Sequence, residues 1–135
     1  MKSPTLLCVD DDPGIRELYE TLFGTNGYEV IAIGSGRQAL DVFQAMGSEI
    51  DAVVLDCEMP GMDGFELAAR LKRQDPNLPI VMVSSIDPEL QEISPFVDAA
   101  IIKGAPVRDI VDRIELLLAE DERRGEPEPA GASPI

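Results

Sequence analysis

Short apolar runs alternate along this chain with longer stretches in which apolar residues recur at helical spacing. Thr5-Leu6-Leu7-Cys8-Val9 reads as a buried strand. Asp12-Pro13-Gly14 follows, with Asp12 as a helix N-cap and Pro13 at the first helical position. Ile15, Leu18, Leu22 and Phe23 then mark an apolar face, until Gly24, Asn26 and Gly27 end the helix. Glu29-Val30-Ile31-Ala32-Ile33 is a second strand, and Ser35-Gly36 opens a second helix with Ala39, Leu40, Phe43 and Met46 on one face. Ala52-Val53-Val54-Leu55 has no polar alternation, so this third strand is expected to be covered on both faces. A third helix is expected between Gly61 and Gln74, with Phe65, Ala68 and Leu71 inward and Asp75-Pro76 as its stop. Pro79 to Val83 and Ala99 to Ile102 read as strands four and five. Val107, Ile110, Val111, Ile114, Leu117 and Leu118 mark a last amphipathic helix.

Strands separated by helices imply parallel crossovers, and a parallel sheet needs helices on both faces. The expected fold is a doubly wound α/β domain with a five-stranded parallel sheet. The interval between Ser84 and Ala99 breaks the rhythm, because Pro88 and Pro95 interrupt it and no helical stripe appears. A fourth helix there is expected to be short or irregular. From Asp121 the chain becomes rich in Glu, Arg, Pro, Gly and Ala, so the expected division is a domain over 4–120 and a disordered acidic, Pro-rich tail over 121–135.

Composition narrows the function. The chain has 135 residues and a formal net charge of −15, which suits one domain and disfavours a phosphate backbone or an anionic membrane as partner. There are no histidines, which removes His-based acid–base catalysis, Ser/His or Cys/His nucleophile pairs and His zinc sites. Cys8 and Cys57 sit in apolar runs and read as reduced core thiols of a cytoplasmic protein. Neither a membrane-spanning run nor a signal-peptide core is visible.

In an open α/β sheet, ligands sit beyond the carboxyl ends of the strands. Asp10, Asp11 and Asp12 follow the first strand, Asp56 the third, Ser84 and Ser85 the fourth, and Lys103 the fifth. If the first and third strands are neighbours, as in strand order 2-1-3-4-5, their ends lie about 4.8 Å apart and Asp10, Asp11 and Asp56 converge. Carboxylates this close require a cation or raised pKa values. Hard oxygen ligands without nitrogen or sulfur suit Mg²⁺. Three carboxylates and the Lys103 ammonium leave an uncompensated double negative charge, which a divalent ion cancels. Such a pocket can accept a phosphoryl group on Asp56 by nucleophilic attack. Asp11 is read as a direct metal ligand, Asp10 as a ligand through water, and Asp12 as a helix cap. The turn Met59-Pro60-Gly61-Met62-Asp63-Gly64 can offer the Glu58 carbonyl to the metal. Cys57, by strand alternation, faces the core.

Val9-Asp10-Asp11-Asp12-Pro13, the run from Val54 through Asp56 to Gly64, Pro79 through Ser84, and Lys103 together resemble the receiver domain of two-component response regulators, single-domain and CheY-like. The resemblance spans roughly residues 4–120 and implies a flavodoxin-like fold. It implies that a histidine kinase or histidine phosphotransfer protein passes a phosphoryl group to Asp56 with Mg²⁺ present. Ser84 then turns toward the phosphoryl oxygens and Lys103 pairs with them. The chain departs from the family at Gly104, where proline is usual, and at Ala100, where Tyr or Phe is usual. The Lys103–Gly104 bond is expected to be trans. With no aromatic rotor at Ala100, the response is expected as ordering or rearrangement of residues 85–98. The resulting expectation is a monomeric, stand-alone switch that signals by contact with a downstream protein. It acts as no enzyme beyond its own phosphorylation and dephosphorylation. A pseudo-receiver with little phosphorylation is the alternative, and a phosphohydrolase is disfavoured because Glu58 stands two residues after Asp56.

Overall fold

The structure is a computed structural model and describes residues 3–85 and 94–125. Five strands, β1 (Thr5–Val9), β2 (Glu29–Ile33), β3 (Ala52–Asp56), β4 (Ile80–Ser84) and β5 (Ala99–Ile102), form one parallel sheet in the order β2-β1-β3-β4-β5. Among the described residues the helices are α1 (Pro13–Thr25), α2 (Gly36–Met46), α3 (Gly64–Gln74) and α4 (Val107–Gly125), with a 3₁₀ turn at Gly47–Glu49. The expected fold, including the order 2-1-3-4-5, is the one observed.

Strand alternation makes two cores. Leu7, Val9, Val53, Leu55 and Met82 face Ala39 and Phe43 of α2 and Leu67 and Leu71 of α3. Leu6, Cys8, Val54 and Val81 face Tyr19 and Phe23 of α1 and Ile110, Val111 and Ile114 of α4. β1, β3 and β4 are buried along their whole length, which is why they read as unbroken apolar runs. In register, Val9 lies beside Leu55 and Asp56 beside Val83. The loops after β1 and β3 therefore leave the sheet side by side.

The structure moves several expected boundaries. The buried stripe of α1 runs through Tyr19 and Phe23 rather than Leu18, which is 43% exposed. Tyr19 and Phe23 are one turn apart and stack at 5.0 Å, so the pair carries the contact with the sheet. α3 begins at Gly64 rather than Gly61. The Asp63 carboxylate accepts from the Glu66 amide at 2.9 Å, and Gly61 takes a positive φ of 81° that a helix cannot contain. Glu66 in the first turn of α3 and Lys72 and Arg73 in the last complement its dipole. Leu67 is fully buried, one position from the expected face. The backbone of α4 continues through residues 121–125, and residues 126–135 of the expected tail lie outside the described residues. Of the interval between Ser84 and Ala99, where a short or irregular helix is expected, residues 86–93 also lie outside them.

Candidate functional site

Asp10 leaves β1 with its amide bonded to the Ile33 carbonyl at 3.1 Å. Its carboxylate turns back to accept the Asp12 amide at 2.9 Å, and Asp12 accepts the Gly14 amide at 2.8 Å as the N-cap of α1. These nested turns fix Asp10 in a nearly closed position, while Asp11 stays exposed. Asp56 ends β3 and is buried. Oxygens of Asp10, Asp11 and Asp56 lie within 4.8 Å of one another. Burial pushes the Asp10 carboxyl above its ordinary value, the Asp12 amide opposes this, and the charge on Asp56 adds to it.

Lys103 reaches in from the end of β5. Its ammonium stands 3.0 Å from Asp56 Oδ1 and 3.7 Å from Glu58 Oε2. Partial burial works against the ammonium, but the hydrogen bond and charge of Asp56, with Glu58 and Asp10, outweigh it and raise its pKa. Its amide bonds to the Ser84 carbonyl at 2.7 Å, so the ends of β4 and β5 are tied. Gly104 follows with φ 91°, and the Ala105 amide closes the turn on Ile102 at 3.2 Å. That left-handed turn is open to glycine and closed to the proline usual in the family. The Lys103–Gly104 bond is trans.

Ser84 is buried and follows Val83, which lies beside Asp56. Alternation therefore sends its hydroxyl to the side of Cys57. Burial raises the Cys57 thiol, and the Ser84 hydroxyl pulls the other way. Cys57 itself belongs to the core under α2 and α3. Asp56 Oδ1 also accepts the Glu58 amide at 3.1 Å, so the backbone turns sharply just after the acid.

Three features escaped the sequence reading. Ser85 donates both its amide and its hydroxyl to Glu58, and these two bonds hold the Glu58 carboxyl below the ordinary range, the hydroxyl most. Gly64 packs so tightly that a Cβ there would come 2.5 Å from the Asp56 carbonyl oxygen. Arg16 Nη1 donates to the Asp10 carbonyl at 2.8 Å. Each depends on turn geometry or close packing that residue spacing does not report.

A cavity of about 610 Å³ opens on the acids and continues past Leu18, Ile102 and Val107. Where the oxygens of Asp10, Asp11 and Asp56 converge, the ligand atoms among the described residues are all hard carboxylate oxygens, with the Lys103 ammonium beside them as a counter-charge. The converging oxygens and the surplus negative charge fit Mg²⁺.

Residues 6–115 match the family model of the response regulator receiver domain. The transcriptional regulatory protein AruR of Pseudomonas aeruginosa is 32% identical over 121 residues, 85% of this chain and 49% of AruR. The chain thus spans about half the length of that relative. The response regulator TrrA of Thermotoga maritima, solved in complex with Mg²⁺-BeF, superposes with a TM-score of 0.77 at 28% identity, covering 84% of this chain and 98% of TrrA. TrrA solved in complex with the histidine kinase ThkA superposes with a TM-score of 0.76 at 28% identity, covering 85% and 98%.

Proposed function

The chain belongs to the response regulator receiver domain family, and on that premise we propose that it is a phosphoryl-accepting switch whose acceptor is Asp56. The observation that carries this is the setting of one carboxylate. Asp56 is buried, bonded to Lys103 at 3.0 Å, and clustered with Asp10 and Asp11 in the lining of an open cavity.

In the proposed step a phosphohistidine of a histidine kinase or phosphotransfer protein supplies the phosphoryl group. An Asp56 oxygen attacks phosphorus, the O–P bond forms as the N–P bond breaks, and the electron pair returns to the donor imidazole nitrogen. Lys103 stands ready to pair with the charge that accumulates on the phosphoryl oxygens. Ser84 turns from the Cys57 side toward the new group. Asp11 and Asp56 would hold Mg²⁺ directly, Asp10 through water and Glu58 through its carbonyl. When bound, Mg²⁺ supplies neutralisation of the charge that otherwise opposes an incoming anion. Leu18 and Ile102, 43% and 42% exposed, give a donor protein an apolar rim beside the acceptor.

Chemistry on a separate substrate forms no part of this reading; the chain promotes only its own phosphorylation and hydrolysis. It works as a monomer in the cytoplasm and passes its state to a downstream protein by surface contact. Among the described residues no helix is long and apolar enough to cross a membrane.

The test is incubation with Mg²⁺ and a small phosphodonor, followed by intact-mass measurement. The proposal expects one added phosphoryl group, lost in Asp56→Asn and in excess chelator. No gain with Mg²⁺ favours a pseudo-receiver, and steady turnover of unrelated phosphoesters favours a hydrolase.

A further inference from the structure

We propose that Arg16 is a positioning residue that fixes the Asp10–Asp11 peptide for metal binding, and that residue 34 is glycine to admit its guanidinium. The inference rests on the reading of the acid cluster proposed above.

Arg16 lies in the first turns of α1 and is half-buried. Its Nη1 donates to the Asp10 carbonyl oxygen at 2.8 Å. A peptide unit is planar, so holding the Asp10 carbonyl sets the orientation from which Asp11 leaves. The other bonds of this loop act elsewhere. The Asp12 amide holds the Asp10 side chain, and the Gly14 amide holds the Asp12 side chain. Asp11 is the exposed member of the cluster and gains most from a fixed backbone. The guanidinium also brings positive charge to the backbone behind three crowded carboxylates.

The space for it is made just past the end of the neighbouring strand. Gly34 follows β2, and a Cβ there would stand 3.0 Å from Arg16 Nη1 and 3.4 Å from its Cζ. The Gly34 amide points to Gln38 Oε1 at 3.3 Å, which helps hold this loop in place. An alanine methyl is therefore expected to be accommodated by displacement of the flexible guanidinium from the Asp10 carbonyl. The φ of Gly34 lies outside the left-handed region, so the effect of Gly34→Ala is one of space.

The experiment is a Mg²⁺ titration of the full chain followed by backbone amide NMR shifts, with amide exchange at Asp11 and Asp12 measured in chelator. Arg16→Gln is expected to weaken Mg²⁺ binding roughly tenfold, as loss of a group orienting a metal ligand does, and to speed exchange at Asp11. Gly34→Ala is expected to do the same. Because both act through one guanidinium, the double variant is expected to be no weaker than Arg16→Gln alone. Arg16→Lys, which keeps the charge and most of the stem, is expected to recover part of the loss. Wild-type affinity in Arg16→Gln, or independent losses that multiply in the double variant, overturns the brace. Absence of saturable Mg²⁺ shifts in the wild-type chain overturns the reading of the acid cluster as well.

Discussion

The Lys103 ammonium bonds to Asp56 at 3.0 Å although β4 lies between the strands that carry the two residues. The long stem of lysine spans that strand. The Asp56 side chain is 2% exposed and that of Lys103 is 39%, so the pair is closed on the acceptor side and open on the cation side. A cation so placed can follow a group that grows outward from Asp56.

Lys103→Met tests this pairing. Loss of the cation is expected to slow labelling of Asp56 by a small phosphodonor at least roughly tenfold. The lysine is partly exposed, but its loss leaves the buried Asp56 carboxylate unpaired beside Asp10 and Asp11, so a destabilisation of about 2 kcal/mol in urea unfolding is expected. Labelling at the wild-type rate contradicts the assigned role.

Gly64→Ala is expected to damage the site through the backbone. The added Cβ would lie 2.5 Å from the Asp56 carbonyl oxygen and 2.9 Å from Cys57 Cα, and neither atom can rotate away. The α3 terminus, tied by Gly64 N to the Cys57 carbonyl at 3.0 Å, must move off β3. A loss of about 2 kcal/mol in urea unfolding is expected. An unchanged midpoint would show that α3 shifts freely.

Asp10→Asn is expected to stabilise the metal-free fold. Burial raises the folded-state pKa of Asp10, so the folded chain holds this proton more tightly than the unfolded chain. The wild-type penalty is absent below the ordinary carboxylate pKa, grows as pH rises toward the raised value, and is complete above it. The amide oxygen of asparagine can still accept from Asp12. Thermal midpoints in chelator are expected to coincide at low pH and to separate by a few degrees at neutral pH, with the variant higher. Mg²⁺ affinity is expected to fall at the same time. A lower midpoint for the variant at pH 7 contradicts this account.

Much of this arrangement was legible in the chain. β1, β3 and β4 announce themselves because burial on both faces leaves no polar alternation. The acids were legible as a group because each stands at the carboxyl end of a strand, where a parallel sheet gathers its loops. The inward face of α1 was misread because Leu18 and Tyr19 are both apolar enough to fill it, and only the sheet decides for Tyr19. The contacts of Ser85, Arg16 and Gly64 were invisible for a different reason. Their partners, Glu58, the Asp10 carbonyl and the Asp56 carbonyl, are fixed by turns and close packing that spacing does not encode.

Ser85→Ala isolates one such contact. The Ser85 hydroxyl, then its amide, hold the Glu58 carboxyl below its ordinary pKa. A lowered carboxylate stabilises the fold above its ordinary value, and that contribution fades as pH falls through the folded one. Removing the hydroxyl is expected to move the Glu58 titration, followed by side-chain carboxyl NMR, upward toward the ordinary range. An unmoved titration would show that the Glu58–Ser85 contact does not persist in solution.

The most direct measurement of the central claim is transfer from a phosphohistidine-bearing phosphotransfer domain to this chain in Mg²⁺, with the label located by peptide mass spectrometry. The account predicts a phosphoryl group on Asp56, no transfer to Asp56→Asn, and loss of transfer in chelator. Label on another residue, or equal labelling of Asp56→Asn, contradicts it.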